Sequence, residues 1–252
     1  MNIDAYLKRI NYNGQRTPTI QTLHALHQSH LLAVPFENLS IHIKEPIILN
    51  DEALFDKVVQ RRRGGFCYEL NGLFAALLRQ LGFQVTMIAA NVVDRQGNVG
   101  PDFDHMALRV SLDEDWLVDV GFGDSFREPL LLSQRDIQYQ PSGHYRIDDH
   151  EDHLLLMAYT DDAEWQTQYH FRLQSYQYAD YIAMCHYHQT SSESPFTQGR
   201  ICTVATPHGR KTISKMRFIT TTLDGTREER EITDESAFLS LLQKHFGIRL
   251  PS

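Results

Sequence analysis

Cysteine is scarce in this chain and never paired at short spacing. Cys67, Cys185 and Cys202 are the three among 252 residues, with no CxxC. An odd, scattered set suggests neither a disulfide framework nor a zinc site, so no metal is expected. It suits a reducing cytoplasm. Long apolar runs are also missing. Nothing approaches the roughly 18 consecutive apolar residues of a membrane span, so no membrane partner is expected. The start, Met1-Asn2-Ile3-Asp4-Ala5-Tyr6, lacks the basic end and unbroken apolar stretch of a secretory signal. Positive charge is in deficit too. The net charge is −8, which argues against nucleic acid as a partner, because such binding is driven by phosphate neutralisation. Arg61-Arg62-Arg63 is too short a run to reverse that in an acidic chain.

What remains is the composition of an ordinary globular protein, 42% hydrophobic and 22% charged. The length allows a sizeable core, as one large domain or a few small ones. Residues 1 to 82 read mostly as helix. Tyr6 and Ile10, then Leu23, Leu26, His27 and His30, fall at helical spacings. Thr17 or Thr19 can cap the second helix, and Pro35 ends it, because the residue before proline is pushed out of the α region. A third helix follows Asn50-Asp51, with Leu54, Val58 and Val59 on its apolar face.

From Phe83 the period changes to two. Strands are expected at Phe83–Ala89, with Ile88 imperfect, at Met106–Leu112 and at Trp116–Val120. Others are expected at Leu154–Tyr159, Tyr169–Leu173, Ile201–Thr206 and Ile213–Thr222, with a turn at Asp224-Gly225. A last helix covers Asp234 to Phe246 and stops at Gly247. Residues 190–195 are the best linker candidate. Helices and strands are segregated rather than alternating, which predicts an α+β fold.

One stretch carries chemistry: Arg63-Gly64-Gly65-Phe66-Cys67-Tyr68-Glu69-Leu70-Asn71. Leu70, Leu73, Phe74, Leu77, Leu78 and Leu81 form one helical face, and Gly82 is a natural stop. Cys67 therefore stands at a helix N-terminus, where partial positive charge favours thiolate. The two glycines are expected to let the chain turn sharply and a substrate approach the sulfur. A cysteine nucleophile needs a base and a group to orient it. Among 13 histidines, His105 is set apart by standing at a loop-to-strand junction. Asp119 lies near the end of the next strand. Simple hairpin register leaves the two a few residues out of line. Asp102, Asp104, Asp113 and Asp115 stay open as rivals, the last two fitting a solvated turn better.

The stretch from Arg63 to Glu69 resembles the Arg-Gly-Gly-x-Cys-x-Glu motif of the arylamine N-acetyltransferase family. Val34-Pro35-Phe36-Glu37-Asn38-Leu39 and Asp119-Val120-Gly121-Phe122-Gly123-Asp124 resemble family segments in the family's order. The tail after residue 190 matches loosely. The resemblance implies a helical bundle over 1–82, an antiparallel β-barrel over 83–189 and an α/β lid over 190–252, with a cysteine-protease-like Cys-His-Asp arrangement. It implies Cys67 as nucleophile, His105 as base and Asp119 as orienting carboxylate. It implies acetyl-CoA as co-substrate and an arylamine or arylhydrazine as acceptor, in a two-step acetyl-cysteine route. Phe36, Tyr68 and Phe122 are the implied pocket walls. The loop carrying Gly100 is the implied coenzyme A contact, although Asp102 and Asp104 in that loop would disfavour a polyphosphate. The alternatives are an amide synthase of the same fold, or a thiol hydrolase or transglutaminase-like enzyme. Monomer and homodimer both stay open.

Other features point less sharply. Arg63 is expected to pair with Glu37 and hold the Cys67 turn. Arg210, Lys211, Lys215 and Arg217 could supply positive charge for a cofactor or form a solvated strand face. Cys185-His186-Tyr187-His188 has two histidines at i, i+2, which share one side of a strand, but no second ligand cluster accompanies them. Cys202, in an alternating segment, is expected in the core.

Overall fold

The computed structural model describes residues 1–159 and 164–250. Helix α1 (Ile3–Arg9) is capped by Asn2, whose Oδ1 accepts from the Ala5 N–H at 3.0 Å. Helix α2 (Ile20–Ala33) is capped by Thr19 rather than Thr17 and ends just before Pro35. Strand β1 (Phe36–Glu37) and helix α3 (Leu39–His42) follow. The expected third helix is split. A short α4 (Asp51–Phe55) runs into a π-helical turn over Asp56–Gln60, still burying Leu54, Val58 and Val59. Helix α5 (Cys67–Gln80) starts at the cysteine. Glu69, at its third position, reaches back to accept from the Phe66 N–H at 3.1 Å. Gly82 stops it with φ of +92°.

The barrel begins with β2 (Gln84–Val92), which runs three residues past the expected end. Then come β3 (His105–Ser111), β4 (Asp115–Val118), β5 (Leu130–Leu131), β6 (Gln138–Gln140), β7 (Gly143–His150), β8 (His153–Tyr159) and β9 (Trp165–Phe171). All pair antiparallel in the order β5-β4-β3-β2-β9-β8-β7-β6. The two edges are stitched into a nearly closed barrel by side-chain amides. Gln138 accepts from the Leu131 N–H and donates to the Leu131 carbonyl, and Gln140 does the same along Arg127 and Glu128. Ile88 spoils the alternation of β2 for a reason: both faces of that strand are buried. Met87, Met106, Leu108 and Val110 pack with α5, while Ile88, Ala90 and Ala107 fill the barrel interior with Tyr145, Leu156, Tyr169 and Phe171.

The chain then forms helix α6 (Tyr178–Thr190), where a strand reading of Cys185–His188 fails. Tyr181, Cys185 and His188 are its buried face, at i, i+4, i+7. A histidine scored as polar hides that helical period. Residues 191–197 are no loose linker but a hydrogen-bonded turn, with Ser194 fully buried. The C-terminal α/β lid holds β10 (Ile201–Thr206), β11 (Gly209–Ser214), β12 (Arg217–Thr222), β13 (Arg227–Glu231) and α7 (Glu235–Phe246). The single strand expected over 213–222 is two strands, because Lys215 turns the chain at φ +54°. The expected turn at Asp224-Gly225 is present and leads from β12 into β13, a strand the alternation does not mark. Cys202 lies in the core beneath α7 with Phe238 and Leu242. N-terminal β1 pairs with β10 at the edge of this sheet, Phe36 opposite Thr203, so the bundle and lid share a strand ladder. The fold is α+β, as the segregation of elements predicts.

Candidate active site

The site is assembled where α5 begins against the first residues of β3. His105 is the first residue of β3, and its side chain points the same way as Ala107 and Ala90, toward the barrel interior. The β3–β4 register pairs Leu108 with Val118. Extrapolated one step past that ladder, it sets Asp119 opposite Ala107 and so diagonal to His105 on the same face. That offset is the reach of a hydrogen-bonded pair: His105 Nε2 stands 2.7 Å from Asp119 Oδ2. Both side chains are almost wholly buried.

Asp119 is held from every side. Oδ2 also accepts from the Tyr169 hydroxyl at 3.2 Å, and Oδ1 accepts from Asn71 Nδ2 at 2.8 Å and the Gly121 N–H at 2.9 Å. Burial pushes this carboxyl up, but His105 and these donors overcome it, and the net shift is below the ordinary aspartate value. Its backbone is fixed too. His27 Nε2 lies 3.1 Å from the Asp119 carbonyl and 3.3 Å from its N–H, while Nδ1 lies 2.9 Å from the Arg127 carbonyl. Burial drives His27 down to about 4, so it is a neutral spacer at physiological pH.

Cys67 sits within this frame. A Cβ on Gly121 would fall 2.8 Å from the Cys67 Cα, so the segment after Asp119 lies directly on the start of α5. Asn71, one turn along α5 from Cys67, ties the helix to both strands. It donates to the Met106 carbonyl at 2.6 Å as well as to Asp119, and accepts from the Val120 N–H at 2.9 Å. The helix terminus does not by itself make Cys67 a thiolate. Burial raises the thiol well above its ordinary value. Backbone hydrogen bonding from Met106 works against that, and the nearby Asp104, Asp119 and Cys185 add to it. A thiol held up in this way would need an acceptor for its proton before it could act as a thiolate.

The remaining expected residues divide. The Phe122 ring stands edge-on to His105 at 5.2 Å and is partly exposed. Phe36 packs against Gly123 and Phe196. Both therefore flank the segment that carries Asp119. Tyr68 does not join them. It is fully buried, and its hydroxyl donates to the carbonyls of Phe103 and Asp104 at 2.7 and 3.1 Å. It braces the loop before His105 from behind. Gly100 is bare for a local reason: a Cβ there would meet Asp104 Oδ2 at 2.6 Å. Gly64 likewise is required by the Pro35 carbonyl, 1.9 Å from its virtual Cβ, rather than by room for a substrate.

Arg63 is 2% exposed and pairs with Glu37, its Nε at 2.9 Å and a terminal nitrogen at 2.8 Å from Oε1. Arg210 and Arg217 among the tail cations are engaged as well, and Lys211 lies by a histidine. Arg210 Nε lies 2.8 Å from Asp124, Arg217 pairs with Glu229, and Lys211 stands 3.4 Å from His245 Nδ1. Arg127, which carried no signal in the sequence, donates from the barrel to the Thr206 and Gly209 carbonyls of the lid. Asn71, Tyr169 and His27 were also unmarked. Asn71 alone had a signal, as an amide one turn from the cysteine on an apolar helix. Among the described residues no helix is long and apolar enough to cross a membrane. Among them, too, no three His, Cys, Asp or Glu side chains are grouped to hold a metal ion.

Comparison with known proteins agrees with this architecture. A family profile described as N-acetyltransferase matches residues 19–252. The arylamine N-acetyltransferase of Escherichia coli K12 is 32% identical over 249 residues, covering 98% of this chain and 88% of that protein. The solved arylamine N-acetyltransferase of Salmonella typhimurium superposes with a TM-score of 0.94 at 31% identity, covering 99% of this chain and 92% of that one. The Mycobacterium marinum arylamine N-acetyltransferase in complex with CoA superposes with a TM-score of 0.91 at 33% identity, over 98% and 93% of the two chains. Sequence and fold thus coincide over nearly the whole length, and the chain belongs to the arylamine N-acetyltransferase family of acyltransferases.

Proposed function

We propose that the chain transfers an acetyl group from acetyl-CoA to an arylamine or arylhydrazine nitrogen through an acetylated Cys67. The observation that carries this is the buried His105–Asp119 hydrogen bond at the start of the Cys67 helix. Cys67 gives its proton to His105, and Asp119, already anionic, stabilises the imidazolium. The sulfur attacks the thioester carbonyl carbon of acetyl-CoA. Backbone N–H groups at the start of α5 face the oxyanion. Collapse breaks the bond to the coenzyme A sulfur, which leaves with the proton from His105. In the second half, the amine nitrogen attacks the acetyl-cysteine carbonyl, and His105 takes the amine proton. The Cys67 sulfur leaves and recovers a proton. One thioester is exchanged for another in the first half, so the acyl group stays activated.

Phe122 and Phe36 supply an aromatic wall for a flat acceptor. Tyr68 positions the loop before His105. That loop, through Gly100, flanks the acyl donor, and a related chain solved with CoA supports a coenzyme A site. Intact-protein mass after mixing with acetyl-CoA alone tests the reading. The expected result is one acetyl adduct that is absent from Cys67→Ala and is discharged by an added arylamine. No adduct, with Cys67 still quickly labelled by iodoacetamide, would move the assignment to an amide synthase or a thiol hydrolase.

A further inference from the structure

A cavity of about 280 Å³ lies where bundle, barrel and lid meet. Helix α2 lends it Leu31 and Leu32, and the lid turns lend it Pro207 and Leu223. Arg127 and Glu128, just before β5, bring the charge. Cys67, His105, Asp119, Phe36 and Phe122 are not among its lining, so it is separate from the candidate active site. Crevices between structural units favour small ligands, because each unit can give one wall. Two of the apolar walls here have no core to join. Leu32 belongs to none of the buried clusters, and Leu223 is 44% exposed.

Arg127 gives the cavity its sign. One terminal nitrogen donates to the Thr206 carbonyl at 2.8 Å and the other to the Gly209 carbonyl at 2.5 Å. Both acceptors are uncharged, and among the described residues Arg127 makes no ion pair. Asp124 acts on it at a distance but is in ion-pair contact with Arg210 at 2.8 Å. Two guanidinium groups therefore share one carboxylate, and that carboxylate is 75% exposed. Burial, and then the like charge of Arg210, hold the Arg127 guanidinium below its usual value. The cavity is short of an anion. Glu128 limits how much negative charge it can take, since it lines the same space and stands 3.8 Å from His24. A single carboxylate suits that balance better than a phosphate dianion, and the leucines favour an apolar body behind it.

We propose that this junction cavity binds a small monocarboxylate with a compact apolar body, its carboxylate on Arg127 and its body between α2 and the lid turns. Such an occupant touches bundle, barrel and lid at once. It also sits one imidazole away from the candidate active site. The Arg127 carbonyl lies 2.9 Å from His27 Nδ1, and Nε2 of the same ring holds the Asp119 backbone.

The test is a titration of the full chain with cyclohexanecarboxylate, read from the methyl NMR resonances of Leu32, with cyclohexanecarboxamide as the uncharged match in shape. Neither probe is a thioester or an arylamine. For a ligand of so few atoms a Kd of about 1 mM is expected. The carboxylate should bind about tenfold tighter than the carboxamide, the gap between a charge-assisted and a neutral hydrogen bond. Arg127→Gln should erase that preference, and Arg127→Lys should keep most of it. Glu128→Gln should tighten the carboxylate by about threefold, because a nearby like charge is removed. Leu223→Trp, at an exposed position that leaves the cores untouched, should block the cavity and abolish binding. Equal binding of the two probes, or no saturable binding of the carboxylate below about 10 mM, would overturn the inference. So would carboxylate binding that survives Arg127→Gln or Leu223→Trp unchanged, since the ligand would then lie elsewhere.

Discussion

Removing the guanidinium of Arg63 should cost more stability than any exposed ion pair could. Arg63 donates to Glu37 Oε1 where Glu37 is wholly buried, and the same carboxylate accepts from the Leu39 N–H at 2.6 Å and the Gly64 N–H at 3.3 Å. These bonds join β1, α3 and the turn before Cys67. Arg63→Met keeps most of the aliphatic volume but leaves a carboxylate in the core without its cation. Breaking a buried pair in this way costs about 3–5 kcal/mol. For a chain of this size that is a fall of about 6–20 °C in Tm. Adding Glu37→Gln removes the stranded charge while keeping an acceptor for Leu39, so the double variant should regain a large part of the loss. Urea unfolding followed by circular dichroism gives all three values. A loss in Arg63→Met below about 1 kcal/mol, the level of a solvated pair, would refute the reasoning. So would a double variant no better than the single one.

Tyr169→Phe removes one neutral donor from Asp119 and leaves three. It should lower kcat/KM by about tenfold, as expected for a hydrogen bond to a charged group, and lower Tm by a few degrees. Steady-state acetylation of an arylamine checks this, and an unchanged rate would mean the hydroxyl does not support the carboxylate. Stability should also fall with acidity through the histidines. His27 is held near 4 in the fold against an ordinary value of about 6.5, so the unfolded chain binds more protons between those values. Its contribution is therefore intact above about pH 6.5 and declines by about 3 kcal/mol as pH falls to 4. His27→Gln should flatten the unfolding free energy across that window, and an unchanged slope would exclude His27 as a source.

The elements that carry the candidate site are legible in the sequence because they are local. The start of α5 follows from Gly64-Gly65 and the helical period after Cys67, and its end from Gly82. The hairpin carrying His105 and Asp119 follows from alternation around an acidic turn. Sequence pattern and structure part where two periods overlap or where polar atoms are buried. The helical period of α6 is masked because His188 packs like an apolar residue, and β11 and β12 read as one strand because Lys215 adopts a turn conformation more usual for glycine. Strands β5, β6 and β7 carry polar or irregular stretches whose pairing is settled by distant partners, two of them through glutamine side chains.

The resemblance to the family offered His105 and Asp119 for acyl transfer; by itself the sequence determined the α+β class and the helix that opens at Cys67. Each depends on residues close in the chain, where spacing and turn chemistry act directly. Tertiary structure decided what surrounds them. Four donors converge on Asp119 from α5, β9, the following turn and His105, drawn from residues 71 to 169. His27 supports its backbone, and the Tyr68 hydroxyl braces the loop before His105. A buried polar group takes whatever partner the packed fold brings within about 3 Å, and no periodicity in the chain encodes that distance.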